Sequence, residues 1–224
     1  MSRRPVVADA WLGGAARRAP AGKALGKLMV GLVLFGAGLW LGLMAELGVG
    51  PWDVLTGGLS DHLGTPFGRT AIAISVVVLL VGLVAGVRPG VGTLVNVVVV
   101  GATIDVLLAT PLLASLGDGP APVRLLVTLI GIACVAAGSA LYLGAHLGPG
   151  PRDGLMVAIH LRTGWRVGTS RAVLECGVLV VGVLLGGPVG VGTLLFAFGI
   201  GPAVQVAFRV LHQTPVRREI EAPP

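Results

Sequence analysis

Six long apolar stretches restrict what this chain can fold into more than any other feature of its sequence. They carry almost no charged residues and cover residues 28–45, 70–87, 92–110, 125–145, 172–187 and 190–208. A helix needs about 20 apolar residues to cross a hydrocarbon core of about 30 Å, and each stretch is close to that length. The mean hydropathy of +0.94 is also too high for a water-soluble globule of this size. The sequence therefore predicts an all-α membrane protein with six transmembrane helices.

The basic residues are divided unequally between the connections of the predicted helices. The chain has 16 Lys and Arg residues. All except Arg69 and Arg124 fall on one side when both chain ends are placed in the cytoplasm. Because Lys and Arg near helix ends accumulate on the cytoplasmic side, we predict a multi-pass plasma-membrane protein with both termini cytoplasmic. Residues 1–27 and 212–224 then form basic cytoplasmic tails.

The chain repeats itself at a spacing of 100 residues without a gap. Gly50, Pro51 and Asp53 recur as Gly150, Pro151 and Asp153, and the run GVGTL occurs at both 90–94 and 190–194. We predict two repeats, 28–111 and 125–211, joined by an outer linker at 112–124. Each repeat has three crossings, an odd number, so the second must enter the membrane from the opposite side. This is the pattern of an inverted-topology repeat, with a pseudo-two-fold axis in the membrane plane.

Each Gly-Pro-x-Asp tetrad opens a segment that is too short to span a bilayer as a helix. We predict a short interfacial or re-entrant helix after the first span of each repeat, over residues 53–63 and 153–163. Trp52 suits an outer membrane interface, and Arg152, at the equivalent position, suits the cytoplasmic side. Two interpretations of Asp53 and Asp153 stay open at this point. The carboxylates either cap the short helices, or they line or gate a solute pathway between the repeats.

Other polar side chains within the predicted spans are also candidates for the pathway or its gate. Asn96 and Asp105 lie in the third span, and Gln205 in the sixth aligns with Asp105. An ionised group at membrane depth is costly, so each should face protein or water. Glu175 follows Arg171 by four residues, a spacing that favours an ion pair on one helix.

The two GVGTL runs are predicted to be tight turns between helices. Gly92 and Gly192 would form the turns, while Thr93 and Thr193 would cap the helices that follow. A phosphate-binding loop would need Gly-Lys-Ser or Gly-Lys-Thr, which neither run contains.

The sequence has no pattern typical of catalysis, metal binding or a cofactor. It contains no HExxH motif, and its histidines lack the spacing of metal ligands. Cys134 and Cys176 both fall in apolar spans, where a thiol behaves as a small hydrophobe. The basic residues flank helices and form no patch interleaved with aromatic residues, which argues against a nucleic-acid partner. We therefore expect neither an enzyme nor a cofactor.

The chain resembles the YczE/YyaS/YitT-like family of bacterial integral membrane proteins in three features: GVGPWDVLTGGL, RPGVGTLVN and a third span containing Asp105. The resemblance covers about residues 28–211. The second repeat departs from this pattern with GPRD, and with Phe196 at the position of Asn96. The resemblance implies a multi-spanning plasma-membrane protein with no established cofactor or biochemical role.

Two hypotheses for function follow from these patterns. The first is a small transporter or permeation protein, in which two inverted repeats rock around a site for an unknown solute or ion. The second is a non-transporting membrane component that stabilises or regulates another complex. Besides the lipid bilayer, its predicted partners are a membrane protein or a second copy of the chain. Glycines spaced by four, as at Gly38 and Gly42, allow close helix packing, which we expect within one chain rather than in a dimer.

Overall fold

The computed structural model describes residues 21–87, 89–111 and 115–213. These ranges contain eight α-helices and no β-strand, which confirms the predicted all-α class. The helices are α1 (Ala21–Ala45), α2 (Pro51–Leu63), α3 (Phe67–Val84), α4 (Val91–Leu108), α5 (Ala121–Leu143), α6 (Pro151–Thr163), α7 (Val167–Leu184) and α8 (Val191–Val210). Four parts of the chain lie outside the described residues: the first 20 residues, Arg88, residues 112–114 of the predicted linker and the predicted C-terminal tail beyond residue 213.

Five of the helices, α1, α3, α4, α5 and α8, are long and apolar enough to cross a membrane. A sixth candidate is the pair of α6 and α7, whose axes are bent by 120° at a short break. Val84, Leu184 and Phe198 are among many large apolar side chains exposed on the outside of these helices, as expected where the surroundings are lipid. α1 begins at Ala21, so the last part of the predicted N-terminal tail is helical. Lys23 and Lys27 lie in this extension, and their long side chains can keep the amines in polar surroundings.

The packing of α1 against α5 lies at the centre of the fold. Gly31 contacts Gly138, and Gly38 contacts Gly131. A Cβ added to Gly31 would lie 2.9 Å from the Gly138 carbonyl oxygen, and one added to Gly38 would lie 2.6 Å from the Gly131 carbonyl oxygen. These contacts follow opposite sequence directions, so α1 and α5 are antiparallel. Glycine allows this close backbone approach, and buried side chains such as Leu28, Leu32, Ile104 and Val135 fill the surrounding core.

Basic side chains fasten the ends of this helix pair. Arg124, near the start of α5, donates from Nε to the Ala45 carbonyl at 2.8 Å and from Nη2 to the Glu46 carbonyl at 2.7 Å. Lys27 of α1 donates from Nζ to the Gly144 carbonyl at 3.1 Å. Both cations thus satisfy carbonyl groups that a helix leaves free at its C-terminal end, and they interact favourably with the helix dipole.

The remaining helices pack around this pair in a reciprocal way. α4 packs on α1, and α8 packs on α5. The short helix α2 packs on α7, and the short helix α6 packs on α3. Each short helix therefore lies against the other half of the chain, which brings the two tetrads toward the same place.

The short helices begin two residues before the predicted segments, and this corrects one interpretation of the tetrads. Each starts at a proline, Pro51 or Pro151, with Gly50 or Gly150 as the N-cap residue. Proline is well suited to a first helical position because its missing N–H would have no helical partner there. The aspartates are therefore third residues of their helices, not N-caps, and neither cap position has a side-chain capping bond. Their carboxylates face other groups, described below.

The GVGTL runs begin helices and do not form the turns predicted for them. Gly90 and Gly190 are the N-cap residues of α4 and α8, Gly92 and Gly192 lie in the first helical turn, and the threonines bond back to the N-cap glycine. The Thr93 hydroxyl accepts from the Gly90 N–H at 3.1 Å, and the Thr193 hydroxyl accepts from the Gly190 N–H at 3.2 Å. Gly92 donates from its backbone N–H to the Leu147 carbonyl at 2.7 Å, just before the second tetrad. Gly192 donates in the same way to the Leu47 carbonyl at 2.6 Å, just before the first. Each GVGTL run therefore holds the segment that leads into the tetrad of the other half.

Candidate binding site between the two tetrads

A cavity of about 140 Å³ lies between the starts of α2 and α6. Its walls include both tetrads, with Gly50, Pro51, Asp53, Gly150, Pro151 and Asp153, and also Asn96. Three of the five polar residues predicted to form a pathway or gate thus line one cavity, Asp53, Asp153 and Asn96. Asp105 and Gln205 are not among the residues of its wall.

Asp53 is the most completely buried ionisable group in this cavity wall, with 3% of its surface exposed. Arg152 Nη2 lies 3.8 Å from Asp53 Oδ1. That distance permits electrostatic attraction but is too long for a hydrogen bond, and Oδ1 has no hydrogen-bond partner among the residues that the structure describes. Asp53 belongs to α2, a helix too short to span the membrane. Burial raises the pKa of its carboxyl group, and the positive charge of Arg152 opposes this rise.

Trp52 and Arg152 occupy equivalent positions in the two tetrads and contact each other. The Arg152 guanidinium carbon lies 5.0 Å from the centre of the Trp52 ring, within the range of a cation–π interaction. Trp52 is 8% exposed. The interpretation of Trp52 as an anchor at the outer interface is therefore wrong, because its ring is enclosed by protein.

Asp153 is held by a buried tyrosine of the preceding helix. Tyr142, in the last turn of α5, donates its hydroxyl to Asp153 Oδ2 at 2.7 Å. The ring of Phe35 packs edge-on against the Tyr142 ring, with 6.1 Å between centroids. Sequence reasoning missed Tyr142, although it is the only tyrosine in the chain. Its presence in an otherwise apolar span was the available signal, since a buried tyrosine hydroxyl usually finds a partner.

Arg171 and Glu175 form the ion pair that their spacing predicts, with 2.8 Å between Arg171 Nε and Glu175 Oε1. Both side chains also line the cavity. The charged side chains of the cavity wall therefore comprise three carboxyl groups, those of Asp53, Asp153 and Glu175, and two guanidinium groups. Because Arg171 and Glu175 neutralise each other, the tetrads contribute two carboxyl groups against the single Arg152.

Asp105 closes a contact between α3 and α4 beyond the cavity. Its Oδ1 accepts a hydrogen bond of 2.6 Å from the backbone N–H of Gly68, in the first turn of α3. A Cβ added to Gly101 would lie 2.5 Å from the Gly68 carbonyl oxygen, so the two helices touch directly here. We call this contact of Gly68, Gly101 and Asp105 the α3–α4 seal.

The equivalent residues of the second half do not form such a seal. Gln205 is exposed, and so is Gly168. A Cβ added to Gly168 or to Gly201 would meet no atom within 4 Å. The alignment of Asp105 with Gln205 therefore joins a residue in a tight helix contact to one that lies free of the neighbouring helix.

Metal binding has no support in the described ranges. No group of three or more His, Cys, Asp or Glu side chains there is arranged to hold a metal ion. The cavity instead combines an aromatic face, the buried carboxyl group of Asp53, the half-buried one of Asp153 and the half-buried cationic side chain of Arg152. Such groups can bind and orient a small polar or charged molecule.

The helices and their central polar cavity define a multi-pass helical membrane protein. The chain belongs to a family described as a family of unknown function, DUF6198, whose model matches residues 23–209.

An uncharacterized protein of Haemophilus influenzae is 38% identical over 197 residues, which cover 86% of this chain and 87% of the relative. The uncharacterized membrane protein YczE of Bacillus subtilis is 32% identical over 174 residues, 76% of this chain and 79% of the relative. The uncharacterized protein YyaS of the same organism is 29% identical over 171 residues, 74% of this chain and 83% of the relative. The predicted resemblance to the YczE and YyaS proteins is confirmed. No solved structure matches the chain significantly.

Proposed function

We propose that this protein is a small membrane transporter, built from two three-helix repeats of opposite orientation, and that it has no enzymatic activity. The observation that carries this proposal is the meeting of both Gly-Pro-x-Asp tetrads at one cavity. A cavity bounded by two broken segments, one from each repeat, is the usual place for a substrate site in transporters with inverted repeats.

Reciprocal contacts support the inverted arrangement. Gly31 contacts Gly138, and the residues 100 positions away, Gly131 and Gly38, contact each other in the same way. The bond from Gly92 to Leu147 likewise has its counterpart in the bond from Gly192 to Leu47. A two-fold axis that exchanges the two halves accounts for both pairs of contacts. Since α1 and α5 are antiparallel, that axis must reverse the direction of the helices.

The depth of the tetrads supports re-entrant short helices. A Cβ added to Gly50 would lie 2.8 Å from the Phe196 ring, and one added to Gly150 would lie 3.6 Å from Asn96 Nδ2. Phe196 and Asn96 each lie five residues after the start of their helix, which corresponds to about 8 Å along the axis. Each tetrad therefore lies inside the helical bundle, where a solute would have to pass.

The difference between the two halves supports alternating access. The α3–α4 seal is closed, whereas Gly168 and Gln205 leave the matching contact between α7 and α8 unmade. With the predicted orientation of the termini, the closed seal lies on the outer side and the open one on the cytoplasmic side. An inverted repeat can exchange these two conformations between its halves, which would expose the cavity to the outer side.

Thiol labelling of the cavity tests the proposal without knowledge of the solute. Cys134 and Cys176 are first replaced, and a single cysteine is introduced at Ser139, which is buried and lines the cavity. The matched control is a cysteine at Phe198, which is exposed on the outside of α8 and would face lipid. Each variant is treated with a membrane-impermeant thiol reagent, from outside in intact cells and from the cytoplasmic side in inverted vesicles.

We expect the Ser139→Cys variant to react quickly from the cytoplasmic side and more slowly from outside, and the Phe198→Cys variant to react from neither. Reaction of Ser139→Cys from both sides means that the cavity is reached alternately. A thiol at residue 139 that reacts from neither side would contradict the pathway and favour a non-transporting membrane component.

A further inference from the structure

The Arg152 side chain lies against two groups that together resemble a binding site for a cationic ligand. Its guanidinium stands over the Trp52 ring, with 5.0 Å to the ring centre, and 3.8 Å from Asp53 Oδ1. An aromatic face beside a carboxylate is a common way to bind guanidinium and quaternary ammonium groups. Arg152 belongs to the other half of the chain, so this contact is made across the cavity.

The pairing between Arg152 and Asp53 is incomplete. A guanidinium and a carboxylate in full contact form two parallel hydrogen bonds of about 2.7–2.9 Å, whereas Arg152 and Asp53 are 3.8 Å apart. Asp53 Oδ1 is buried and accepts no hydrogen bond from the described part of the chain. A ligand that donates a hydrogen bond to this oxygen would therefore gain an interaction that Arg152 does not provide.

The site has room for a ligand and a way to release Arg152. About 10–15 Å³ is enough for one water molecule, so the cavity of about 140 Å³ admits a small organic molecule. The side chain of Arg152 is 26% exposed, whereas that of Asp53 is 4% exposed. The long arginine side chain can therefore move aside while the aromatic and acidic parts of the site stay in place.

The charges that face the cavity favour a cation over an anion. Arg171 is already paired with Glu175, and Asp153 accepts a hydrogen bond from Tyr142. When Arg152 moves away, the carboxyl groups of Asp53, Asp153 and Glu175 face a single guanidinium among the described side chains of the cavity wall, that of Arg171, which attracts both Glu175 and Asp153. An anion would meet this excess of negative charge, whereas a cation would reduce it.

We propose that Trp52 and Asp53 form a binding site for a small organic cation, with Arg152 as a tethered occupant that such a cation displaces. This inference rests on the proposed transport function and names the substrate class of the same cavity. A tethered occupant lowers the apparent affinity for a free ligand, because only the fraction of molecules with a vacant site can bind it. Removal of the Arg152 guanidinium should therefore strengthen the binding of a free guanidinium ion.

The test measures binding of the guanidinium ion to the purified full-length protein in detergent, at millimolar, non-denaturing concentrations and constant ionic strength. Binding is followed by the change in tryptophan fluorescence and by the shift of the thermal midpoint. The variants are Arg152→Gln, Arg152→Lys, and Arg152→Gln combined with either Asp53→Asn or Trp52→Leu. Arg162→Gln is the matched control, since it removes an arginine of the same helix that is not part of the cavity wall.

We expect guanidinium to bind Arg152→Gln about tenfold more tightly than the wild type, the equivalent of about 1.4 kcal/mol, and Arg162→Gln to bind it like the wild type. Either double variant should lose this gain. A gain that persists in the Asp53→Asn double variant, or the absence of any gain in Arg152→Gln, overturns the proposal. If Arg152→Gln does not give a monodisperse protein, Arg152→Lys decides, because its shorter and more strongly hydrated cation should still leave affinity above that of the wild type.

The outcome is separable from that of the transport proposal. Specific guanidinium binding together with a thiol at residue 139 that is unreactive from both sides would leave the cation site intact and refute transport. Reaction of that thiol from both sides, with no guanidinium binding in any variant, would leave transport intact and refute the cation site.

Discussion

Replacement of Asp105 by leucine should open the outer side of the cavity. In the α3–α4 seal the Asp105 carboxylate accepts a 2.6 Å hydrogen bond from the Gly68 N–H, at the positive end of the dipole of α3. Leucine has a similar shape but no acceptor. A hydrogen bond to a charged group contributes about 1.5–3 kcal/mol, and about 1.4 kcal/mol corresponds to a tenfold change in an equilibrium. The population open to the outer side should therefore rise by about tenfold to about a hundredfold.

The assay is the rate at which an impermeant thiol reagent added outside intact cells labels the Ser139→Cys background. Gln205→Leu is the matched control, because it makes the same kind of change at the aligned position, where the glutamine is exposed. We expect the labelling rate from outside to increase in Asp105→Leu and to stay within about twofold of the background in Gln205→Leu, since no seal is lost there.

Two results would refute this reasoning. The first is an unchanged labelling rate in a folded Asp105→Leu protein, which would mean that the α3–α4 seal does not control access. The second is an equal increase in Gln205→Leu, which would mean that loss of a polar group at this depth loosens the bundle in general. Asp105→Asn gives an internal check. Its amide oxygen can still accept from Gly68, so its rate should fall between those of the background and Asp105→Leu.

Three further predictions concern the packing around the cavity. Gly38→Ala places a methyl group against α5 and should lower the free energy of unfolding by about 1–3 kcal/mol, and with it the thermal midpoint. Gly42→Ala, with open space around it, should stabilise α1 by about 0.5–1 kcal/mol. Equal thermal midpoints of the two variants would contradict the contact. Tyr142→Phe removes the hydroxyl that donates to Asp153 and should cost about 1–3 kcal/mol in thermal or denaturant unfolding; a neutral result would mean that water replaces the hydroxyl. Arg124→Gln removes both bonds to the end of α1 and should cost about 1–3 kcal/mol by the same measurement, and an unchanged protein would show that those carbonyl groups find other partners.

The sequence was sufficient to predict the helical class and the short helices, because these depend on local properties. Apolar length determines which segments cross a bilayer, and proline after glycine marks where α2 and α6 begin. The pair of Arg171 and Glu175 was also predictable, since residues four apart on a helix are neighbours whatever surrounds them.

Contacts between distant segments could not be predicted in the same way. The contact of Trp52 with Arg152 depends on how deeply both tetrads enter the bundle, and the distribution of charge alone suggested opposite membrane faces. The bond from Tyr142 to Asp153 crosses the turn between α5 and α6, where no periodic pattern relates the two residues. Capping stayed open as one interpretation of the aspartates because a helix boundary read from sequence is uncertain by a residue or two.

Asp105 and Gln205 show a different limit of sequence analysis. Their alignment gives both residues the same register position, but only Asp105 bonds to the neighbouring helix. A sequence alignment does not show whether the helices at that position are in contact.

The contact between Trp52 and Arg152 has a consequence for how such a chain can arise by duplication. Two identical copies related by a two-fold axis would present the same side chain from both sides, so a tryptophan would meet a tryptophan or an arginine an arginine. At that axis, a symmetric dimer of one short gene product could not place an aromatic ring against a guanidinium group. In the proposed inverted repeat, joining the two copies in one polypeptide allows positions 100 residues apart to differ, and the contact of Trp52 with Arg152 requires such a difference.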